Sequence, residues 1–260
     1  DVKGSDEIAD FANSFNRMAG SIQSRIAELT RLNESREQFI NNLSHELRTP
    51  ITAVAGYAEL LKIGSISDEE RERSIGYIAD QIRRIQQMSQ KLMALTQIPF
   101  CAIQKQWVSL ESAAANAAMT CAEQLNKKVI GLNMDLQAVN AYGDAVLIES
   151  LLQNLLENAV KASQQGGVVT ISSRLIEESG DCVLWVADNG RGMASEEIAK
   201  VTEPFYRIDK ARARKDGGAG LGLALCAKIC DVHSAKMEIF SEPEKGAAIE
   251  ITFYNTVTTS

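Results

Sequence analysis

Along the first third of the chain, apolar residues recur at alternating steps of three and four. Ile8, Phe11, Phe15, Met18 and Ile22 begin the series, Ile26, Leu29 and Leu32 continue it, and Ile40, Leu43, Leu47, Ile51, Val54, Ala58 and Leu61 complete it. That spacing draws one apolar seam along an α-helix. Ser5 or Asp6 can cap it, and with no breaker in between it predicts one helix from about residue 6 to residue 63, coiled-coil-like at its start. Gly64-Ser65-Ile66 ends the helix, and Ser67-Asp68-Glu69-Glu70 has the form of a capping box, Ser67 with Glu70. A second helix follows with Ile75, Ile78, Ile82, Ile85, Met88, Leu92 and Leu95 as its seam, closed by Pro99.

Past a linker at 100–106 the period changes. Segments 109–125 and 146–162 read as helices, whereas 129–134, 168–176, 181–187, 236–241 and 247–254 read as strands. Ala141-Tyr142-Gly143-Asp144 turns into the helix at 146, and the polar residues 255–260 read as a frayed tail. The expected fold is multidomain: an all-α antiparallel helical hairpin, then an α/β sandwich. Boundaries are placed at 1–24 for a coiled-coil lead, 25–99 for the hairpin, 100–107 for the linker and 108–260 for the sandwich domain. A two-helix hairpin has too little core of its own, and pairing two of them into a four-helix bundle hides both seams, so a homodimer is expected.

Composition narrows the function. The length, 260 residues, suits about two domains, and 45% hydrophobic with 23% charged residues is ordinary for a soluble globular chain. A net charge of −7 argues against wholesale nucleic-acid binding. Five cysteines without a paired spacing point to a reducing compartment. No apolar run approaches a membrane span and no signal peptide is visible; the chain starts without Met inside a helical pattern and reads as part of a longer protein.

His45 lies two residues from both Leu43 and Leu47, which turns its imidazole away from the seam and toward water. Thr49 shares that face and Glu46 is next in chain. Pro50 donates no hydrogen bond to the Glu46 carbonyl and crowds that turn, so the helix should kink one turn after the histidine. On composition alone this is a surface histidine on a kinked helix, although a proline inside an unbroken apolar seam costs stability and asks for a reason.

In the second half, Asn154, Asn158 and Lys161 fall at i, i+4 and i+7, a polar stripe opposite Leu151, Leu152, Leu155 and Leu156. Asparagine lowers helix propensity, so a merely solvated face would choose otherwise. Two amide oxygens and an ammonium group suit a magnesium–phosphate group, since magnesium takes oxygen ligands, few of them from protein. Asp188-Asn189-Gly190-Arg191-Gly192-Met193 ends a strand; a carboxylate held there can accept from an adenine amino group, with glycines letting the backbone approach. Lys210, Arg212, Arg214 and Lys215 precede Gly217-Gly218-Ala219-Gly220-Leu221-Gly222-Leu223, which opens a helix whose free N–H groups can bind phosphate. It is neither a Walker loop, lacking Gly-Lys-Ser/Thr, nor a Rossmann turn, lacking a preceding strand. Cys226, Cys230 and His233 could share a metal by spacing, but Cys226 and Cys230 read more simply as buried small apolar residues, and Trp107 and Trp185 as core or linker packing.

These strings carry a resemblance. His-Glu-Leu-Arg-Thr-Pro at 45–50 resembles the H-box of sensor histidine kinases of the HisKA type. Asn-Leu-Leu-Glu-Asn-Ala-Val-Lys-Ala-Ser at 154–163 resembles their N-box, 188–193 the G1 box, Glu203-Pro204-Phe205-Tyr206-Arg207 the F-box, and 217–223 the G2 box with its ATP lid; Gly246 matches a late glycine. Residues 5–22 resemble the second helix of a HAMP linker, through Asp6-Glu7-Ile8 and Phe15-Asn16-Arg17-Met18. The resemblance covers nearly the whole chain and implies a dimeric four-helix bundle followed by a Bergerat-type ATP-binding domain.

It also implies roles. His45 accepts phosphate from ATP, Glu46 accepts the other ring N–H, and Thr49 positions water in a Glu-x-x-Thr phosphatase string. Asn158 ligates Mg2+ with Asn154 in support, Lys161 contacts phosphate, and Asp188 reads adenine with Gly190 and Gly192. Phe205, Tyr206, Arg212, Arg214, Gly218, Gly220, Leu221 and Gly222 complete the nucleotide contacts, and Arg207 offsets developing charge. The phosphate then passes to the receiver domain of a response regulator, and kinase and resting states differ by bending near Pro50. HAMP follows a transmembrane helix in the family, which implies the cytoplasmic region of a cell-membrane protein that meets the membrane only through an upstream segment. Relatives of this fold that hydrolyse ATP, such as gyrases and Hsp90-like chaperones, carry an acid at the position of Asn154; an amide cannot take a proton, so water should be a poor acceptor, and Glu157 lies roughly 100° away round the helix. Where the family usually has two glycines after the histidine near 233, Ser234-Ala235 stand here. A nucleotide-binding scaffold and a free-standing ATPase remain as other readings.

Overall fold

The computed structural model describes residues 4–62, 66–98, 103–208 and 218–254, the side chains of 4–12 and 32 apart. The chain divides into two compact units, Asp1–Thr52 and Ala53–Ser260. The division falls inside helix α1 (Gly4–Lys62), two residues after Pro50, and α1 continues helical through that proline. In the first unit Phe15, Met18, Ile22, Ile26 and Leu29 are all more than half exposed. Their seam has the expected period, and these side chains are left largely uncovered by the described residues. The expected seam positions Ile8, Phe11 and Leu32 lie outside the described side chains.

In the second unit, α2 (Asp68–Gln97) starts at the predicted capping box. The Ser67 hydroxyl accepts the Glu70 N–H at 3.2 Å, and the Glu70 carboxylate accepts the Ser67 N–H at 3.2 Å. Tyr57 of α1 stacks on Tyr77 of α2 with ring centroids 5.0 Å apart. The breakers expected at Gly64, Ser65 and Pro99 lie outside the described residues; α2 itself ends at Gln97 with Ile98 as its C-cap.

The sandwich domain runs β1 (Gln106–Ser109), α3 (Leu110–Lys128), β2 (Gly131–Leu136), β3 (Asn140–Gly143), α4 (Ala145–Ala162), β4 (Val168–Leu175), β5 (Cys182–Asp188), α5 (Ser195–Ile198), α6 (Gly222–His233), β6 (Lys236–Ser241) and β7 (Ala247–Phe253). Five strands form one sheet in the order β2-β4-β5-β7-β6, with β2 parallel to β4 and the rest antiparallel. Leu151, Leu152, Leu155 and Leu156 of α4 are fully buried with Ile171, Leu184 and Ile251 of the sheet and Ile229 of α6. This apolar layer explains why α4 lies flat on the sheet with its polar stripe at one side.

Two expectations need correction. The linker and the turn at 141–144 contain two short strands, β1 and β3, which pair antiparallel with Trp107 opposite Tyr142. The strand placed at 129–134 begins at Gly131, because Val129 is the C-cap of α3 at φ 55°. Cys226 and Cys230 are buried in the core, as the simpler reading of them expects, His233 is buried beside them, and no cluster of metal-ligating side chains occurs among the described residues. Both nitrogens of the His233 ring are engaged: Nδ1 lies 2.7 Å from the Ile229 carbonyl, and Nε2 accepts the Asp144 N–H at 2.9 Å. Among the described residues, no helix is long and apolar enough to cross a membrane.

Candidate nucleotide site and phosphoacceptor helix

A cavity of about 400 Å³ opens over the end of the sheet, lined by α4, the turn after β5, the start of α6 and one face of α2. Leu155, Val186, Met193, Val201, Leu221 and Ile249 give it an apolar floor, and Asn158, Lys161, Asp188, Arg191 and Arg207 give it polar corners. That is the make-up of a small-ligand pocket: mostly apolar, with a few convergent polar groups.

Local packing fixes each corner. Lys128 donates to the carbonyls of Val160, Lys161 and Ser163 at 2.8, 3.2 and 3.2 Å, closing the C-terminal end of α4. A Cβ on Gly190 would meet the Ala162 carbonyl oxygen at 2.4 Å, so the turn after β5 presses directly on that helix end. Asp188 accepts the Gly190 N–H at 2.8 Å. Burial lifts the Asp188 carboxyl above its ordinary range, against the opposing pull of the Gly190 and Ala247 N–H groups and of Arg191. Gly192 has φ 63° and Gly246 has φ 86°, and a Cβ on either would come within 2 Å of a carbonyl oxygen, of Glu242 or Asp188 respectively. Only glycine fits either place.

Asn154 and Asn158 meet the first residue of α6. A Cβ on Gly222 would lie 3.1 Å from the Asn158 amide and 3.5 Å from Asn154 Oδ1. Asn154 Nδ2 donates to the Ser150 carbonyl at 2.7 Å, while Asn154 Oδ1 and Asn158 Nδ2 are buried without hydrogen-bond partners. Buried orphan amides are costly, and they point to a polar group that completes them. A half-turn of the Asn158 amide presents its oxygen instead, so the pair fits a hydrated oxygen-ligated cation.

The predicted residues do not all reach the cavity. Asn158, Lys161, Asp188, Gly192, Tyr206, Arg207, Gly218, Gly220, Leu221 and Gly222 line it. Asn154, Gly190 and Phe205 stand behind the wall: Phe205 is buried at φ 67° and its N–H donates to the Gly220 carbonyl at 2.8 Å, joining the F-box to the start of α6. Arg212 and Arg214 lie outside the described residues. Three features escaped the sequence reading. Arg191 lines the cavity, Val186 and Ile249 form its floor, and α2 contributes Arg84, Gln87, Met88 and Lys91. The last has no local signal, because α2 is about 66 residues from α4 in sequence.

On α1, His45 and Thr49 are exposed, Leu43, Glu46 and Leu47 are half-buried, and Pro50 is buried. The imidazole therefore faces outward, as its position relative to the seam predicts. The Thr49 hydroxyl folds back onto the His45 carbonyl at 3.4 Å.

Comparison with known proteins agrees with this division of labour. Residues 35–99 match the family described as the His Kinase A (phospho-acceptor) domain, and residues 143–256 the family described as Histidine kinase-, DNA gyrase B-, and HSP90-like ATPase. Sensor histidine kinase YkoH of Bacillus subtilis is 31% identical over 256 residues, covering 96% of this chain and 53% of YkoH, so the chain spans about half the length of that relative. Among solved structures, Acinetobacter baumannii histidine kinase AdeS shares the fold with a TM-score of 0.68 at 22% identity, over 82% of this chain and 98% of that one. Histidine kinase ThkA, solved in complex with response regulator protein TrrA, matches with a TM-score of 0.67 at 20% identity, over 82% of this chain and 60% of that one. With a phospho-acceptor helix carrying an outward histidine and an ATPase-type domain carrying two asparagines that each leave one buried amide atom unpartnered, in that order along one polypeptide, the chain belongs to the sensor histidine kinases.

Proposed function

We propose that the chain is an ATP-dependent protein-histidine kinase that phosphorylates His45 and passes the phosphate to a response-regulator aspartate. The observation that carries the reading is a pair of buried amide atoms without hydrogen-bond partners, Asn154 Oδ1 and Asn158 Nδ2, beside the start of α6 and at the wall of a cavity that also presents Lys161 and Asp188. Asp188 accepts from the adenine amino group at the apolar floor, and Lys161 with the free N–H groups at the start of α6 faces the phosphates. Mg2+ held by Asn158, with Asn154 behind it, would neutralise charge on the phosphate oxygens. Arg207 offsets the charge that develops on the transferred group.

A ring nitrogen of His45 attacks the γ-phosphorus with its lone pair, the bond from phosphorus to the β–γ bridging oxygen breaks, and ADP leaves. Glu46 accepts the N–H of the other ring nitrogen and takes up its proton as positive charge develops on the ring. The amide at Asn154 gives water no general base, which favours the histidine as acceptor. The same helix face supports a second activity: Thr49, one turn after His45, positions water for dephosphorylation of the regulator. ThkA is a relative solved with a response regulator, and a receiver domain is the partner assigned to His45 here.

The exposed seam positions Ile40 and Ile51 on α1, and separately Ile75 and Ile82 on α2, support homodimerisation through a four-helix bundle. The same reading keeps the boundaries 1–24, 25–99, 100–107 and 108–260, with a HAMP-like lead that connects to a membrane through segments beyond this chain.

Incubation with γ-labelled ATP tests the assignment. Acid-labile, alkali-stable label is expected on the wild type and not on His45→Gln. Label on neither protein overturns the kinase reading in favour of a nucleotide-binding scaffold, and steady phosphate release that survives His45→Gln favours an ATPase.

A further inference from the structure

Glu157 stands beside Asn158 in the cavity wall and holds two ammonium groups on one oxygen. Lys91 of α2 lies 3.0 Å from Glu157 Oε2, and Lys161, one turn along α4, lies 3.6 Å from the same atom. Gln153 donates to the other carboxylate oxygen at 3.1 Å, which fixes the carboxylate in place. All three charged side chains are at least two-thirds buried, so their interactions are weakly screened. Burial raises the Glu157 carboxyl, and the two lysines outweigh that and hold it below its ordinary range.

We propose that Lys91 is a positioning residue for the nucleotide site: by neutralising Glu157 it leaves the charge of Lys161 available to a phosphate group. The proposal rests on the reading of this cavity as an ATP site. One carboxylate and one lysine make a neutral pair, and Glu157 with Lys161 is such a pair at i, i+4 in the favoured orientation, acid before base. Left alone, that pair satisfies Lys161 internally and offers no net charge to a ligand. Lys91 takes the shorter bond, so the trio carries one net positive charge, and Lys161 is its more loosely held member. Lys91 comes from the helical hairpin, so the phosphate-binding strength of the ATP domain depends on the docking of α2.

The test is a binding measurement on the full chain with Mg-ATP and, separately, with adenosine, which has no phosphate. Lys91→Gln is expected to weaken Mg-ATP about five- to tenfold and leave adenosine unchanged. Adding Glu157→Gln to Lys91→Gln should bring Mg-ATP affinity back to within about twofold of the wild type, because Lys161 is released. Lys91→Arg keeps the charge and should keep the affinity, and a thermal melt of each variant confirms that it folds. Mg-ATP binding unaffected by Lys91→Gln overturns the proposal; so does equal weakening of Mg-ATP and adenosine, or failure of Glu157→Gln to restore binding. If the wild type binds neither ligand, the ATP reading itself fails.

Discussion

His233 shows how a single buried ring ties the ATP domain together. Its Nε2 accepts the N–H of Asp144, the N-cap of α4, and its Nδ1 donates to Ile229, so the ring is bound as the neutral imidazole. Burial lowers its affinity for a proton; the Ile229 carbonyl and Asp144 oppose the shift, and Lys105 adds to it. The unfolded chain therefore takes up the proton first. The stabilisation is complete above about pH 6.5 and declines as pH falls through that value toward the lower pKa of the folded state. Urea melts at pH 7.5 and 5.5 should show a loss on acidification in the wild type that is smaller in His233→Gln. Two other residues carry backbone strain that a glycine would relieve. Val129, β-branched and 64% exposed, sits at φ 55°, and Ser234 sits at φ 54° as the C-cap of α6, where the family usually places glycine. Val129→Gly and Ser234→Gly are each expected to stabilise the domain by about 1 kcal/mol and to raise Tm by about 2–4 °C, read by calorimetry.

Between elements, the site depends on close backbone approaches rather than on long side chains. The turn after β5 is clamped against the β6–β7 turn: Met193 N–H donates to the Ser241 hydroxyl at 2.8 Å, that hydroxyl donates to the Gly246 carbonyl at 2.8 Å, and Glu244 N–H donates to the Arg191 carbonyl at 2.6 Å. Gly246→Ala would drive a methyl group to within 2 Å of the Asp188 carbonyl oxygen. It should cost about 3 kcal/mol, lower Tm by on the order of 10 °C and weaken adenine-nucleotide binding together with stability, whereas Gly218→Ala, where a Cβ meets nothing within 4 Å, should leave Tm unchanged. Elements of this kind separate what could be read in the sequence from what could not. The long helices, the capping box at Ser67 and the β6–β7 hairpin follow from periodicity and turn chemistry, which are local. Strands β1 and β3 are four residues each and pair across about 30 residues of chain, so neither alternation nor a hairpin turn announces them. The asparagine stripe of α4 was legible because a helix fixes the spacing of its own face, but the contribution of Lys91 was not, since no pattern within α2 says which carboxylate it will meet.

At the scale of the molecule, each of the two units leaves apolar surface that the described residues do not cover. Phe15, Met18, Ile22, Ile26 and Leu29 on the first part of α1, and Ile75 and Ile82 on α2, range from 44% to 65% exposed at positions a helical seam would bury. Burying such a side chain is worth about 1.5–3 kcal/mol, so a set of this size, doubled by symmetry, is ample to drive association of two copies. Within the cavity, by contrast, the apolar floor is supplied by residues of the ATP domain, and Met88, the α2 seam position that lines the cavity, is already buried within this chain. Association and nucleotide binding should therefore separate. Ile75→Glu with Ile82→Glu places four carboxylates in the shared seam of a dimer. Sedimentation should show the wild type as a dimer at micromolar concentration and the double variant as a monomer, with Mg-ATP affinity within about twofold of the wild type. A wild type that sediments as a monomer at all accessible concentrations would leave these side chains without the partner their spacing calls for, and would sink the bundle.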